Sequence, residues 1–328
     1  MERLIIISAQ PDTPFYEWQL EIQFLNLTDL GYNLSNYHVL ISYPDKPSSR
    51  ILKLTKRYPE VNWGLYQDTR KDTTSYVSSL RPHVLKKHFL KNPWLAKERI
   101  FYIDSDVIFR TIPAFHKLSD PNTWYFSKTD YISVEKIKEK GAHILYDMCK
   151  IIDVDPSLVE NSPNNGGAQM WINDVNADFW ENLEIKATRI HDYLKISGTI
   201  SAKIWSKKNA LPIEDYKPLD PYMADMWATL WMGIAKGKKI QIDPILDFCI
   251  PQNPLSKWKE CTMLHYSLMN NCPEPEYFHK RVFIKGIDFE WTSKDVNKTV
   301  CGIKYVEYLE KVVEARKKYS NQLCIDNI

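Results

Sequence analysis

Two aspartates one residue apart, Asp104 and Asp106, follow the apolar run Ile100-Phe-Tyr-Ile103 and precede a second one, Val107-Ile-Phe109. The first run reads as a buried strand. A carboxylate is costly to bury unless a cation meets it. Residues two apart on an extended chain point the same way. Both carboxylates could therefore converge on one hard divalent cation, Mg2+ or Mn2+, which takes oxygen ligands and could in turn hold a diphosphate. Asp-x-Asp is a common tripeptide, and a strand-end turn with two solvated aspartates fits it equally well. The rest of the chain has to decide.

Three further places carry groups of a suitable type. In Asn164-Asn165-Gly166-Gly167-Ala-Gln169 the glycines let the backbone approach a ligand, and the amides of Asn165 and Gln169 can bind hydroxyls as donor and acceptor. The simpler reading is an Asn-Gly turn into a strand. Asp225 lies one turn into an otherwise apolar run, so it has a partner, lines a cleft or meets water. His265 is structural unless the fold carries it back, 159 residues after Asp106, to the aspartates. From 81 to 99, Arg81, Lys86, Lys87, Lys91, Lys97 and Arg99 face the single acid Glu98. That run is a solvated helix face or, less simply, a patch that attracts phosphate.

The elements that must position these residues alternate in type. Residues 4–8 read as a first strand, apolar enough for the centre of a sheet, breaking at 10–14. A helix follows with Phe15, Trp18, Ile22 and Leu25 on one face, ended by Gly31 and Asn33. Strands are expected at 37–43 and 61–66, with a helix at 50–58 between them. Further helices are expected at 73–90, 134–152, 177–196 and from 221 to 235, and further strands at 124–126, 240–242 and 245–250. The basic stretch 203–209 reads as loop, 272–275 as a Pro-rich loop, and 302–318 as a closing helix. This alternation predicts an α/β fold with a mixed, mostly parallel sheet and helices on both faces. Ligands in such sheets sit at the carboxyl ends of strands, so the end of the first strand and the Asp104 stretch should share one crevice. A core over 1–250 and a C-terminal extension over 251–328 are the expected divisions.

Composition narrows the class. Hydrophobic residues at 44% and charged residues at 26% are those of a globular chain. The 11 Trp and 19 Tyr suit sugar or base stacking and equally suit a core. A net charge of +2 produces no global field that would demand nucleic acid. The six cysteines are far apart with no Cys-x-x-Cys pair, which argues against zinc and for free thiols in a reducing compartment. The apolar run at the N-terminus is short for a signal peptide, and no run reaches membrane-spanning length, so a cytoplasmic protein without a membrane partner is expected. The sequons at Asn26, Asn33 and Asn297 carry no weight without a secretion signal.

Taken together, these motifs resemble a GT-A glycosyltransferase. Residues 8–19, Ser-Ala-Gln-Pro-Asp-Thr-Pro-Phe-Tyr-Glu-Trp18-Gln19, are similar to the first-strand loop of the hydroxyproline O-arabinosyltransferase and peptidyl serine O-galactosyltransferase group, in which an aromatic, two residues and Trp-Gln follow the strand. Arg81-Pro82 resembles the Arg/Lys-Pro that opens their next helix. Asp104-Ser-Asp106 stands at their Asp-x-Asp, and Asn165-Gly-Gly-Ala-Gln169 at their Gly-Gly donor loop. Ala224-Asp225-Met-Trp227 stands at their Ser-Glu-Met-Tyr with a shorter acid, and Leu264-His265-Tyr266 at a late His-Tyr. The likeness runs in order over about residues 4–295.

The resemblance implies a single Rossmann-like GT-A fold and a UDP-sugar donor carrying arabinose or another pentose or hexose. It also implies Mn2+ or Mg2+ held by Asp104, Asp106 and His265, and retention of anomeric configuration. Asp106 would be a direct ligand, and Asp104 would act through water or hold the ribose. Ser8, Gln10, Trp18 and Arg81, with Gly166 and Gly167, fall on the donor side. Asn165 and Gln169 would grip the sugar, and Asp225 would lie near the anomeric carbon. Lys285, with Lys280 as alternate, would meet the diphosphate. The acceptor is a hydroxyl, either on a hydroxymethylated DNA base, which the basic runs 81–99, 203–208 and 236–239 suit, or on hydroxyproline or serine of a peptide. A sugar-1-phosphate nucleotidyltransferase, which also pairs aspartates on a metal, and an inactive sugar-nucleotide-binding protein are the competing classes. The oligomeric state is open.

Overall fold

The computed structural model describes residues 3–71, 76–162, 164–267, 278–287 and 296–325, with residues 319–325 described by backbone alone. The expected helix start at Thr73, the loop at 272–275 with Cys272, and residues 288–291 lie outside the described residues.

Three consecutive isoleucines start the sheet. In β1 (Ile5–Pro11), Ile5 and Ile7 point into one apolar layer and Ile6 into the other, and all three are fully buried. Such a strand can only lie in the middle of a sheet covered on both faces. β2 (Tyr37–Tyr43), β3 (Asn62–Gln67) and β4 (Ile100–Tyr102) run parallel to it. Beyond β4 lie β7 (Gly166–Ile172), β6 (Thr123–Lys128) and β8 (Lys239–Ile242), giving the order β3-β2-β1-β4-β7-β6-β8. β7 is antiparallel to both neighbours, and β6 and β8 are parallel to each other. The result is the mixed, mostly parallel α/β sheet expected.

One face is covered by α1 (Pro14–Asp29) and α2 (Ser49–Arg57), whose Leu20, Phe24, Ile51 and Leu54 are buried with Ile6. Pro14 is well placed at the first turn of α1, where its missing N–H costs nothing. The other face is covered by α3 (Leu80–Lys91), α5 (Ala142–Ile152), the short α6 (Pro156–Glu160), α7 (Ala177–Asn209) and α8 (Ala224–Ala235), while a short α9 (Leu255–Glu260) packs by Leu255 and Trp258 on a separate apolar cluster.

A second, three-stranded sheet, β5-β10-β9, joins distant parts of the chain: β5 (Val107–Phe109), β9 (Phe248–Cys249) and β10 (Met263–His265). Its Ile108 and Leu264 are buried with Trp18 and Ile22 of α1 and with Tyr305, Val306 and Leu309 of α10 (Gly302–Ile325).

Several expected boundaries move. The helix expected from 73 starts at Leu80, after a short 3-10 turn at Val77–Ser79. The helix expected over 134–152 is two helices, α4 (Val134–Lys140) and α5, because Gly141 takes φ +152°, a value that breaks the helical backbone. The basic stretch 203–209, expected as loop, is the last part of the 33-residue α7. Lysines are good helix formers, and neighbouring turns already supply the nucleus. The strand expected over 245–250 shrinks to β9, preceded by a 3-10 turn at Pro244–Leu246. Cys149, Cys249, Cys261 and Cys301 are free and buried, and Asn26, one of the sequon asparagines, is fully buried.

Candidate active site

The Asp104 stretch leaves the large sheet at the end of β4, turns, and enters the small sheet as β5. This switch of sheet exposes the turn at the carboxyl ends of β1 and β4. Two amides of α1 hold it. The Gln23 side chain donates to the Asp104 and Val107 carbonyls at 3.1 and 2.9 Å. The Asn26 side chain donates to the Phe109 carbonyl at 2.8 Å and accepts from the Phe109 N–H at 2.7 Å. The Gln23 amide oxygen accepts from Tyr37, whose hydroxyl pairs with Ser8 at 2.8 Å. Ser8 is thus part of the support beneath the turn and is fully buried. Sequence reading missed Gln23 and Asn26, although two amides three residues apart inside an apolar helical pattern were a usable signal.

β10 brings the histidine. His265 pairs in register with Val107, and the Tyr266 N–H donates to the Asp106 carbonyl at 2.9 Å. The imidazole Nε2 lies 3.3 Å from Asp106 Oδ1 and 3.6 Å from Asp104 Oδ2. One ligand atom from each of Asp104, Asp106 and His265 falls within 4.8 Å of the others. The 158 residues between Asp106 and His265 are closed by three antiparallel residue pairs.

Lys280 completes the cluster. Its ammonium is buried, hydrogen-bonded to Asp106 Oδ2, and lies 5.8 and 5.7 Å from the ring centres of Phe15 and Tyr266. Burial alone would push the Asp106 carboxyl up, but Lys280 and His265 override it and hold it well below the usual carboxylate range. Burial would likewise depress His265, yet the Asp106 carboxylate, with Asp104 behind it, raises it above its ordinary value.

The second flank is a carboxylate–guanidinium pair. Asp225 stands in the first turn of α8, with its backbone N–H donating to Tyr76 Oη at 2.8 Å and Tyr76 donating back to Asp225 Oδ1 at 3.2 Å. Arg81, in the first turn of α3, donates to Asp225 Oδ2 at 3.2 Å and lies 3.8 Å from Asp104 Oδ1. Arg81 therefore links the Asp225 flank to the aspartate turn. Burial raises the Asp225 carboxyl, with Asp104 adding to the shift against the opposing pull of Arg81. Tyr76 had no sequence signal, because its partner lies 149 residues away.

Gln169 is fully buried in β7, and its amide nitrogen lies 3.1 Å from His265 Nδ1. Its amide oxygen is buried without a partner among the described residues. Rotating the amide by half a turn would let that oxygen accept Nδ1–H, leaving Nε2 bare toward the aspartates. The cluster can thus present two carboxylates and one unprotonated imidazole nitrogen, a donor set that suits Mn2+ well and Mg2+ through its oxygens.

Other expected site residues are placed elsewhere. Trp18 is fully buried against Phe15, Phe278 and Tyr305, so it is a core residue with no face open to a donor. Gln10 is 2% exposed and donates to the Leu40 carbonyl at 3.0 Å. Lys285 is exposed and makes no contact with the cluster among the described residues; Lys280, its alternate, occupies that place. Asn165 is half-buried, with its carbonyl accepting from the Thr129 N–H at 3.1 Å.

The two glycines answer to packing. A Cβ on Gly166 would stand 2.3 Å from Phe126 Cβ and 2.7 Å from the Ser127 carbonyl oxygen, and one on Gly167 would stand 2.8 Å from Met226 Cε. They let β7 close on β6 and α8, a packing reason for glycine at both positions. Half of the basic run 81–99 has structural partners, while Lys91 and Lys97 are exposed. Lys86 pairs with Glu181, Lys87 binds the Gln67 carbonyl, and Arg99 binds the Thr123 and Asp120 carbonyls.

A cavity of ≈ 700 Å³ is lined by Lys128, Tyr131, Lys136, Lys140, Leu219, Met223 and Trp227 among others, the last two flanking Asp225 in sequence. Tyr131, which lines it, has its hydroxyl 3.8 Å from Sδ of Met226, the residue after Asp225 in sequence. Burial first, then Asp104 and Asp225, push that hydroxyl up to about 12.

No protein-family model matches this sequence, and no curated protein does. Among solved structures, that of the WbbM bifunctional glycosyltransferase is 12% identical, covers 94% of this chain and 50% of its own, and has a TM-score of 0.48. The galactosyltransferase LgtC, in complex with donor and acceptor sugar analogues, is 12% identical over 94% of this chain and 96% of its own, with a TM-score of 0.44. The glycosyltransferase GlyE of Streptococcus pneumoniae TIGR4 is 12% identical over 98% of this chain and 64% of its own, with a TM-score of 0.40. The chain spans half the length of the WbbM chain it is similar to.

Proposed function

We propose that this chain is a divalent-metal-dependent, retaining glycosyltransferase that moves a sugar from a UDP-sugar to a hydroxyl acceptor. The observation that carries the reading is the convergence of Asp104, Asp106 and His265, which lie on opposite sides of a 158-residue stretch and meet through the β5–β10 register. These three residues would hold Mn2+ or Mg2+, which when bound neutralises charge developing on a departing diphosphate. Gln169 fixes the imidazole so that Nε2 faces the aspartates. Lys280, paired with Asp106, and the exposed Lys285 are the candidates to meet the diphosphate. Arg81 holds the Asp225 carboxylate at the opposite flank, where it would steady positive charge on the anomeric carbon or shuttle a proton. Asn165 remains a candidate for a sugar hydroxyl. Ser8 and Gln10 act from beneath, by shaping the turn and the end of β1.

The acceptor hydroxyl would enter from the cavity lined by Tyr131, whose ring offers a stacking face. A hydroxymethylated base and a hydroxylated peptide side chain both satisfy that chemistry. The test is a panel of UDP-sugars scored for released UDP with Mn2+, Mg2+ or chelator, run with hydroxymethylated DNA and hydroxyproline or serine peptides side by side. Metal-dependent UDP release is expected, and it is expected to vanish in Asp106→Asn. Full activity in that variant, or a product carrying a nucleotide in place of a sugar, would overturn the reading.

A further inference from the structure

The long helix α7 presents two different surfaces. Ile190, His191, Leu194, Ser201 and Ala202 are buried against the fold. On the side away from them, Ile196, Ile200 and Ile204 are 77%, 61% and 46% exposed. Spaced four apart, they form one line along the helix, spanning roughly 12 Å at 1.5 Å per residue. The chain then turns and adds Leu211 and Ile213, both exposed by nearly half. Single apolar residues are normal on a protein surface, whereas a line of isoleucines is an interaction site.

Basic residues outnumber acids along this line, although exposed Glu214 and Asp215 follow Ile213. Arg189, Lys195, Lys203, Lys207 and Lys208 are exposed, and Asp192 is the one acid between 189 and 209. None of the five cations makes an ion pair among the described residues, in contrast to Lys86, Lys138 and Lys238, which do. Lys203 and Lys207 fall on the same side of the helix as the isoleucines, by the 100° step per residue.

We propose that this face docks on an anionic lipid surface. Each competing occupant satisfies only half of the pattern. A duplex would take the lysines but offers nothing to a row of isoleucines. A second copy, packed about a two-fold axis, would bury the isoleucines but set five cations against five. At a lipid boundary the isoleucines enter the headgroup–acyl layer and the lysines extend along the helix to anionic headgroups. No helix among the described residues is long and apolar enough to cross a membrane, so the helix lies along the surface. This inference stands whether or not the chain transfers sugars.

The experiment is co-sedimentation of the full chain with phosphatidylcholine vesicles, with and without phosphatidylglycerol. Binding is expected only to the anionic vesicles and should weaken with added salt. Ile196→Ser/Ile200→Ser/Ile204→Ser and, separately, Lys203→Gln/Lys207→Gln/Lys208→Gln should each lower the partition coefficient by roughly tenfold or more. Both should unfold at the wild-type temperature, since every substituted side chain is exposed. Undiminished vesicle binding by the isoleucine variant would overturn the proposal. So would a dimer in light scattering that the isoleucine variant dissolves while wild type ignores vesicles. Duplex-DNA binding that needs the lysines and is indifferent to the isoleucines, with no vesicle binding, would overturn it in favour of nucleic acid.

Discussion

The ammonium of Lys280 sits where the charge of a divalent ion would be felt most, on the Asp106 carboxylate, and this permits a test that needs no substrate. The perturbation is Lys280→Met. Methionine keeps the length of the stem and packs well against Phe15 and Tyr266, so the change removes charge with little loss of contact. Opposite charges 4 Å apart attract by roughly 4 kcal/mol at an effective dielectric near 20. Removing one partner of a buried pair typically costs ~3–5 kcal/mol, because the other charge is left uncompensated. His265, itself raised by Asp106, still faces that carboxylate, so the lower end applies: about 3 kcal/mol without metal. For a chain of this size that is a fall in Tm of roughly 4–5 °C.

With Mn2+ the sign reverses. In the wild type the cation must displace the ammonium from Asp106; in the variant it need not. Affinity for Mn2+ should therefore rise by roughly tenfold or more, the equivalent of ~1.4 kcal/mol or more. Saturating Mn2+ should then recover most of the lost Tm. Lys280 also opposes protonation of His265, so its removal raises that imidazole further. A protonated imidazole cannot take a metal. The comparison accordingly belongs at about pH 8, by calorimetric Mn2+ titration and thermal unfolding in parallel. Equal Mn2+ affinity in the two proteins, or an unchanged metal-free Tm, would refute the view that Lys280 and the metal compete for one carboxylate.

Two further outcomes follow from the packing and the buried histidines. Gly166→Ala should destabilise the fold by ~1–3 kcal/mol in urea titration, because its Cβ would meet Phe126 and the Ser127 carbonyl; a changed KM for donor at unchanged stability would instead favour the donor-loop reading. The His38 and His88 rings hydrogen bond to each other at 2.8 Å, and burial holds them down to about 4 and about 3. The unfolded chain takes up their protons near 6.5 and the folded one does not. Stability is therefore unaffected by these rings above about pH 6.5 and falls as pH drops toward about 4, by on the order of 3 kcal/mol per ring. His88→Gln should remove about half of that loss in urea titrations across this range, and an identical pH slope in the variant would show that the pair is not its source.

The small sheet shows where sequence reading stopped. Asp104 and Asp106 were legible as paired ligands because their relation is local, two residues on an extended stretch. Asp225 was legible as an anomaly, a carboxylate in an apolar helix, and the structure supplies its partners Arg81 and Tyr76. Trp18 was misplaced because a tryptophan early in a helix looks the same in sequence whether it faces a cleft or a core. Only the arrival of Phe278 and Tyr305 from the end of the chain encloses it. Lys285 and Lys280 differ by five residues, and which one turns inward depends on the path of the chain past Phe15.

The sequence by itself determined the elements whose information is periodic and near at hand: the buried strands β1 and β2, the helix α1, the alternation that makes the sheet mostly parallel, and the two aspartates at its edge. Tertiary structure decided what those residues meet. It set His265 beside Asp106 by pairing β10 with β5. It turned the glycines of β7 into packing contacts. It left the isoleucines of α7 facing outward. The physical reason is the same in each case: a side-chain period is written in a few consecutive residues, whereas a partner, a counter-charge or a covering surface is supplied by chain that lies far along the sequence.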